Sequence, residues 1–212
     1  MGFFLKWLFT LRIWSAVIIG IITAYFAYDL PKTNKAHEVL RRPLITLIAR
    51  DGSKISEIGN IEGKPVQVEN LPKHLPHAVI ATEDRRFYSH HGIDIIGVIR
   101  AFILNIKAGK IIQGGSTISQ QAAKNLFLTP DRTFKRKYQE LLLAFWLEHK
   151  FTKNQILSIY LNRVYLGSGV YGVDAASRKY FGVPAQKLSV FQAAIIAGLL
   201  KAPSRLNPNT NM

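Results

Sequence analysis

The sequence predicts a mostly α-helical domain with a small extended/β segment leading into it and a membrane-spanning helix at its N-terminus. Three observations carry that prediction. The chain opens on an apolar run long enough to cross a bilayer. Two short alternating runs then flank an Asp-Gly dipeptide, which is a favoured hairpin turn. From Leu75 onward, helix-start and helix-stop signals follow one another with apolar residues at helical spacing. At 212 residues the chain can bury a full core and still carry an attachment.

The apolar run extends from Trp7 to Tyr28 and holds one charged residue, Arg12. Its aromatic ends suit the two membrane interfaces. A cleavable signal peptide would need a small-x-small site, and Ala24-Tyr25-Phe26-Ala27 does not supply one, so the run reads as an uncleaved anchor. Lys6 and Arg12 favour a cytoplasmic N-terminus. Lys32, Lys35, Arg41 and Arg42 on the other side weaken that charge argument.

After the anchor, residues 44–69 read as extended, with PLITLIA and SKISEIG on either side of Asp51-Gly52. Asp94 precedes IIGVIRAFILNIKA, which stops at Gly109. Thr117 to Gln120, Thr152 to Gln155 and Ser189 to Gln192 each have capping-box spacing before an apolar run. Thr129-Pro130-Asp131 is expected to open a long helix to about Lys150, with Phe134, Tyr138, Leu141, Leu142 and Phe145 as its buried stripe. The expected organisation is a stub at 1–6, the anchor at 7–28 and a linker at 29–43. An extended/β segment at 44–74 and a helical domain at 75–212 follow.

A 48% hydrophobic content argues against disorder, and the absence of cysteine excludes disulfides, thiol nucleophiles and cysteine-ligated zinc. The formal net charge of +15 calls for a polyanionic partner. Beyond residue 36 there remain 24 basic and 12 acidic residues, so the basicity belongs to the globular part. A membrane tether makes nucleic acid an awkward partner; anionic lipid or a lipid-linked phosphate fits better.

Residues 81–92, ATEDRRFYSHHG, pack acids, bases and aromatics together. Glu83 follows an apolar run, where partial burial would raise its pKa toward that of a useful base. Read alone, Glu83 and Asp84 could equally pair with Arg85, Arg86 or a histidine at the surface. IIQGGSTISQQ at 111–121 leads from a Gly-Gly turn into a helix start, which is a phosphate-binding arrangement or simply a capped helix. Arg132, Lys135, Arg136 and Lys137 cluster at the next helix start, and Arg136 and Glu140 share one face at i,i+4. The six histidines show no metal-ligand spacing, and no serine has lysine three positions later.

In this order the segments resemble the peptidoglycan glycosyltransferase family. The carriers are EDRRFYSHHG at 83–92, GGSTISQQ at 114–121, KNLFL at 124–128 and RKYQE at 136–140. ILSIYLNRVYLGSGVYGVDAASRKYFG at 156–182 and AAIIAGLLKAPSRLNP at 193–208 continue the match. The resemblance implies a lysozyme-like, largely helical domain that polymerises lipid II into β-1,4-linked glycan, with inversion and release of undecaprenyl pyrophosphate. The extended segment resembles that of class A penicillin-binding proteins, whose transpeptidase domain would lie outside this chain. Ser158 and Gln192 stand where relatives often carry Glu.

By that resemblance Glu83 is the base and Glu140 the second glutamate, which holds the basic groups or assists at the leaving oxygen. Lys124, Arg136 and Lys137 would take the pyrophosphate, and Ser116, Thr117, Gln121 and Asn125 would line the donor site. Asp84, Phe87 and His90 would shape the cleft around Glu83. A divalent cation (Mg or Mn) is an expectation at the pyrophosphate, with no organic cofactor. Expected partners are lipid II, the growing glycan, anionic membrane, moenomycin-type inhibitors and other cell-wall synthesis proteins, but no nucleic acid. The expected location is the bacterial cytoplasmic membrane, single-pass, with the domain on the outer side. Helix 95–106 is read equally as core or as lipid-inserted, and the loop at about 107–115 as a mobile gate. A lytic enzyme of similar fold and a non-catalytic lipid-holding module are the rival readings; the cationic cluster speaks for the transferase.

Overall fold

The computed structural model describes residues 2–30, 45–51, 54–58, 61–129, 131, 133–203 and 205. The architecture is mainly helical. Helix α1 (Gly2–Tyr28) is followed by strands β1 (Ile45–Ile48), β2 (Lys54–Ile58) and β3 (Ile61–Glu62). Then come α2 (His74–Glu83), α3 (Ile95–Ala108), α4 (Ile118–Phe127), α5 (Phe134–Lys150) and α6 (Lys153–Arg163). Strand β4 (Val170–Tyr171), α7 (Val173–Phe181) and α8 (Val190–Leu199) complete the described chain.

α1 begins at Gly2, so residues 2–6, expected as a stub, are helical. It is the one described helix long and apolar enough to cross a membrane, and its spanning window is not buried by the rest of the protein. The expected linker falls outside the described residues beyond Leu30. β1 and β2 pair antiparallel, with Ile45 opposite Ile58 and Thr46 opposite Glu57, which is the hairpin expected around Asp51. β3 pairs in parallel with β4, a long-range contact that the alternating pattern does not announce.

α4 is the central helix: it packs on both α5 and α6, while α2 packs on α8. Ile118, Ala122 and Ala123 of α4 are buried against Leu143 and Leu147 of α5 and Ile156, Leu157 and Leu161 of α6. Each large side chain buried this way stabilises the fold by about 1.5–3 kcal/mol. All three capping boxes form, at Thr117, Thr152 and Ser189, with side chain and backbone bonded reciprocally. Gln192 therefore has a structural task. Ser158 has one too: its hydroxyl accepts from Val68 N at 3.0 Å and donates to Asn154 O at 2.8 Å.

Two expectations about α5 need correction. It starts at Phe134 with Thr133 as its cap, not at the Thr129–Asp131 turn; Pro130 and Arg132 lie outside the described residues. Its buried residues are Gln139, Glu140, Leu143, Ala144 and Leu147. The expected stripe lies to one side, and Phe134 is 96% exposed. The reason is that α5 has two partners. One face meets α4, while Tyr138 turns to α1, where its ring lies 5.0 Å from Phe26 and its hydroxyl 2.8 Å from Thr23 Oγ1. Lys135 pairs with Asp29, and Gln139 donates to Asp29 O at 3.2 Å. The foot of the apolar helix is thus fastened to α5.

α3 is not the core helix that its sequence also allowed: Ala101 is its one buried residue, and Ile95, Ile99, Phe102 and Ile106 are exposed. Gly109 ends it in the left-handed conformation, φ 62°. The loop beyond is fastened: Asn105 Oδ1 accepts from the amides of Ile112 and Gln113, and Asn105 Nδ2 donates to Gln113 O.

Near the β3–β4 pair, Asp174 is buried and accepts from Arg178 Nε, Lys64 N and Ala185 N at 2.8, 2.9 and 3.1 Å. Burial alone would raise its carboxyl pKa, but the hydrogen bonds from Arg178, Ala185 and Lys64 hold it below the usual value. Its contribution to stability is therefore full above the unfolded-state pKa and disappears as pH falls through the lower folded one. Asp174→Ala strands the amides of Lys64 and Ala185, with an expected loss of about 2 kcal/mol at pH 7. Denaturant titrations from pH 7 to pH 3 should show that gap narrowing as pH falls through the folded-state pKa.

Candidate active site

A cleft of about 970 Å³ lies between the end of α2, α3, the 111–117 loop and the segment after α8. Glu83, the last residue of α2, projects into it half-buried. Gln121 Nε2 donates to Glu83 Oε2 at 2.7 Å, so α4 aims the carboxylate. The surface ion pair with Arg85 or Arg86 that the sequence also allowed does not form: Arg86 faces Asp94 at 3.5 Å.

Asp84 turns inward. Its Oδ2 accepts from Ile118 N, at the α4 N-terminus, at 3.0 Å and from His90 Nε2 at 2.9 Å. A carboxylate is well placed at that positive helix end. Asp84 and His90 are both buried, as is Phe87, which lies under the His90 and Tyr88 rings with the Lys153 ammonium 4.5 Å from its centroid. These three brace the cleft from beneath, and Phe87 has no exposed surface for substrate. Thr117 is similarly committed: its hydroxyl donates to Gly92 O at 2.7 Å and accepts from Gln120 N at 3.2 Å.

The cationic side is built on Glu140, whose side chain is 3% exposed. Arg136 Nη1 donates to Oε2 at 2.9 Å, and Lys137 Nζ donates to Oε1 at 2.5 Å. Lys137 also donates to Ser116 Oγ at 2.7 Å, which connects α5 to the cleft wall. Its side chain remains 48% exposed, and Arg136 Nε is buried without a hydrogen-bond partner. Lys124 lies one turn beyond Gln121 on α4, with Asn125 beside it, both half-buried. Lys135, expected in this cluster, turns away to Asp29. Among the described residues no group of three or more His, Cys, Asp or Glu could hold a metal ion.

Sequence reading missed part of the opposite wall: Arg100, Lys201 and Arg205 also line the cleft. Arg100 carried a signal, being the single charged residue within an otherwise apolar stretch of α3. Lys201 and Arg205 lie in an irregular segment with no periodicity to place them.

A carboxylate aimed into a cleft, with a carboxylate-clamped pair of cations reaching the cleft wall at Ser116, is an arrangement suited to an enzyme of the group-transfer kind. The particular family follows from comparison with known proteins. The model of the Transglycosylase family matches residues 51–212, and the chain belongs to that family. Penicillin-binding protein 1A of Aquifex aeolicus is 52% identical over 143 residues, covering 68% of this chain and 20% of that protein. The Pseudomonas aeruginosa protein of the same name is 41% identical over 206 residues, 93% of this chain and 25% of its own length. That of Escherichia coli is 39% identical over 214 residues, 99% of this chain and 25% of its own. The chain thus spans about a quarter or less of these three relatives.

Gln121 gives the site's geometry a direct check. Gln121→Leu removes the donor that aims Glu83 and keeps a side chain of similar size. Turnover should fall by about 10- to 100-fold with the melting temperature within a few degrees of wild type.

Proposed function

We propose that the chain is a peptidoglycan glycosyltransferase that polymerises lipid II into β-1,4-linked glycan. The observation that carries the reading is Glu83 in a cleft whose wall residue Ser116 accepts from Lys137, one of two cations clamped by the buried Glu140. Inversion at an anomeric carbon needs a base on the attacking face. Glu83 takes the proton of the acceptor GlcNAc 4-hydroxyl as that oxygen attacks C1 of the donor sugar. The C1–O bond to the pyrophosphate breaks, and undecaprenyl pyrophosphate departs with the bonding electrons.

The negative charge that builds on the leaving group is met by Lys124, Arg136 and Lys137. Preorganised cations need no rearrangement during the reaction, which is where their catalytic value lies. Both Glu140 oxygens are engaged by cations, which supports holding the cradle as its task over donating a proton. Ser116 and Asn125 complete the donor side. A magnesium or manganese ion at the pyrophosphate would take most of its ligands from phosphate oxygens, as no protein cage stands among the described residues.

α1 supports a single-pass anchor in the bacterial cytoplasmic membrane with the domain on its outer side. The exposed apolar face of α3, continued by Ile111 and Ile112 and flanked by Lys107 and Lys110, suits the lipid surface. A polyprenyl substrate then reaches the cleft without leaving the membrane. On this reading, moenomycin-type inhibitors compete for the donor side, and other cell-wall synthesis proteins act alongside it.

The test is polymerisation of labelled lipid II by the full chain in detergent, beside Glu83→Gln of matched circular dichroism. Long glycan from the first and a loss of at least 100-fold in the second are expected. Equal product from both would remove Glu83 as the base.

A further inference from the structure

Residues 111–117 form neither helix nor strand, yet all seven line the cleft that Glu83 enters. A segment of that kind has no backbone ladder, so its shape depends on what individual side chains hold. Asn105, in the last turn of α3, holds it by three bonds. Its Oδ1 accepts from Ile112 N at 2.8 Å and from Gln113 N at 3.0 Å, and its Nδ2 donates to Gln113 O at 2.9 Å. A second close approach follows at Gly115, where a Cβ would lie 3.3 Å from Val98 Cγ2 of α3. Immediately beyond, Ser116 Oγ accepts from Lys137 Nζ at 2.7 Å, and Thr117 caps α4. Gly114 and Gly115 separate the grip at Gln113 from Ser116. Glycine restricts the backbone least, so the grip, more than the intervening chain, sets how Ser116 meets Lys137.

We infer that Asn105 is a positioning residue for the cationic cradle: by gripping the loop at Ile112 and Gln113 it places Ser116, and through Ser116 the Lys137 ammonium, for an incoming pyrophosphate. The inference deepens the function proposed above and rests on Lys137 taking that group. Lys137 is 48% exposed, and its flexible stem gains from a second contact. Glu140 fixes it from its own helix, and Ser116 fixes it from the cleft wall. An ammonium already held from both sides needs less ordering when the anion arrives, which is a gain in affinity.

Ending α3 is not what Asn105 is for. Gly109, in the left-handed conformation, already does that, with its amide bonded to Ile106 O. A side chain that served only as a helix stop would also leave the affinity of the cradle untouched when removed.

The experiment is a double-mutant cycle: calorimetric binding of a short-chain prenyl pyrophosphate to the full chain, Asn105→Leu, Ser116→Ala and the double variant, with Lys137→Ala beside them. Melting temperatures and hydrogen exchange of the Ile112 and Gln113 amides accompany it. Leucine keeps a similar size and removes both polar atoms of Asn105. The two amides should exchange at least tenfold faster in Asn105→Leu than in wild type, with the melting temperature within a few degrees. Each of Asn105→Leu and Ser116→Ala should bind about five- to tenfold more weakly. The double variant should lose no more than about twofold beyond the weaker single, because both act on one contact. A folded Asn105→Leu that binds as wild type would overturn the inference. Losses that multiply in the double variant, or amides that exchange equally fast with and without Asn105, would overturn it too. Should Asn105→Leu melt far lower, Asn105→Ser, which stays polar but falls short of the loop, takes its place in the cycle with the same expected and contrary results. Unchanged binding in Lys137→Ala would remove the proposed cradle and this inference with it; weakened binding there beside unchanged binding in Asn105→Leu sinks this inference alone.

Discussion

Burying a carboxylate that is 3% exposed is unfavourable unless both of its oxygens find partners, and the site is organised around that constraint at Glu140. Arg136 and Lys137 satisfy both of its oxygens from the same helix, one turn away. In return Glu140 fixes two long, flexible cations in a single arrangement, which isolated surface lysines and arginines do not keep. Lys137 then reaches Ser116, so the cation pair is set against the wall of the cleft that holds Glu83. Positive charge at the start of α5 opposes the helix dipole. Glu140 offsets part of that cost, and an anionic ligand would offset the remainder.

A second carboxylate does similar work on the other side. Asp84 ties the end of α2 to the first turn of α4 and to His90, so the residue next to Glu83 cannot drift relative to Gln121. The capping box at Thr117 sets where α4 begins, and with it the height of Gln121. Two buried acids therefore hold the two sides of the cleft. Behind them, Tyr138 and Gln139 meet the foot of α1 on the same helix that carries Glu140. The apolar helix is in this way a mechanical neighbour of the cationic cradle and not a detached tether.

Much of this was legible in the chain. The three capping boxes, the hairpin around Asp51, the Gly109 stop and the Arg136–Glu140 pair all depend on neighbours within a few residues. Features that depend on distant segments were not legible. The β3–β4 pairing joins residues more than a hundred positions apart, and nothing local marks it. The α5 stripe was misplaced because one helix serves two partners, α4 and α1, and periodicity alone assigns a single buried face. Phe87 and Thr117 sit in stretches rich in site residues, yet their side chains are spent inside the core, which composition does not reveal.

The central claim is a division of labour between the two glutamates, Glu83 at the proton and Glu140 in holding the cations. Calorimetric binding of a short-chain prenyl pyrophosphate to the full chain, Glu83→Gln and Glu140→Gln separates them most directly, with melting temperatures to confirm folding. The account predicts that Glu83→Gln binds as wild type, whereas Glu140→Gln, its cations no longer held, binds at least tenfold more weakly. Unchanged affinity in a folded Glu140→Gln, or a comparable loss in Glu83→Gln, would contradict it.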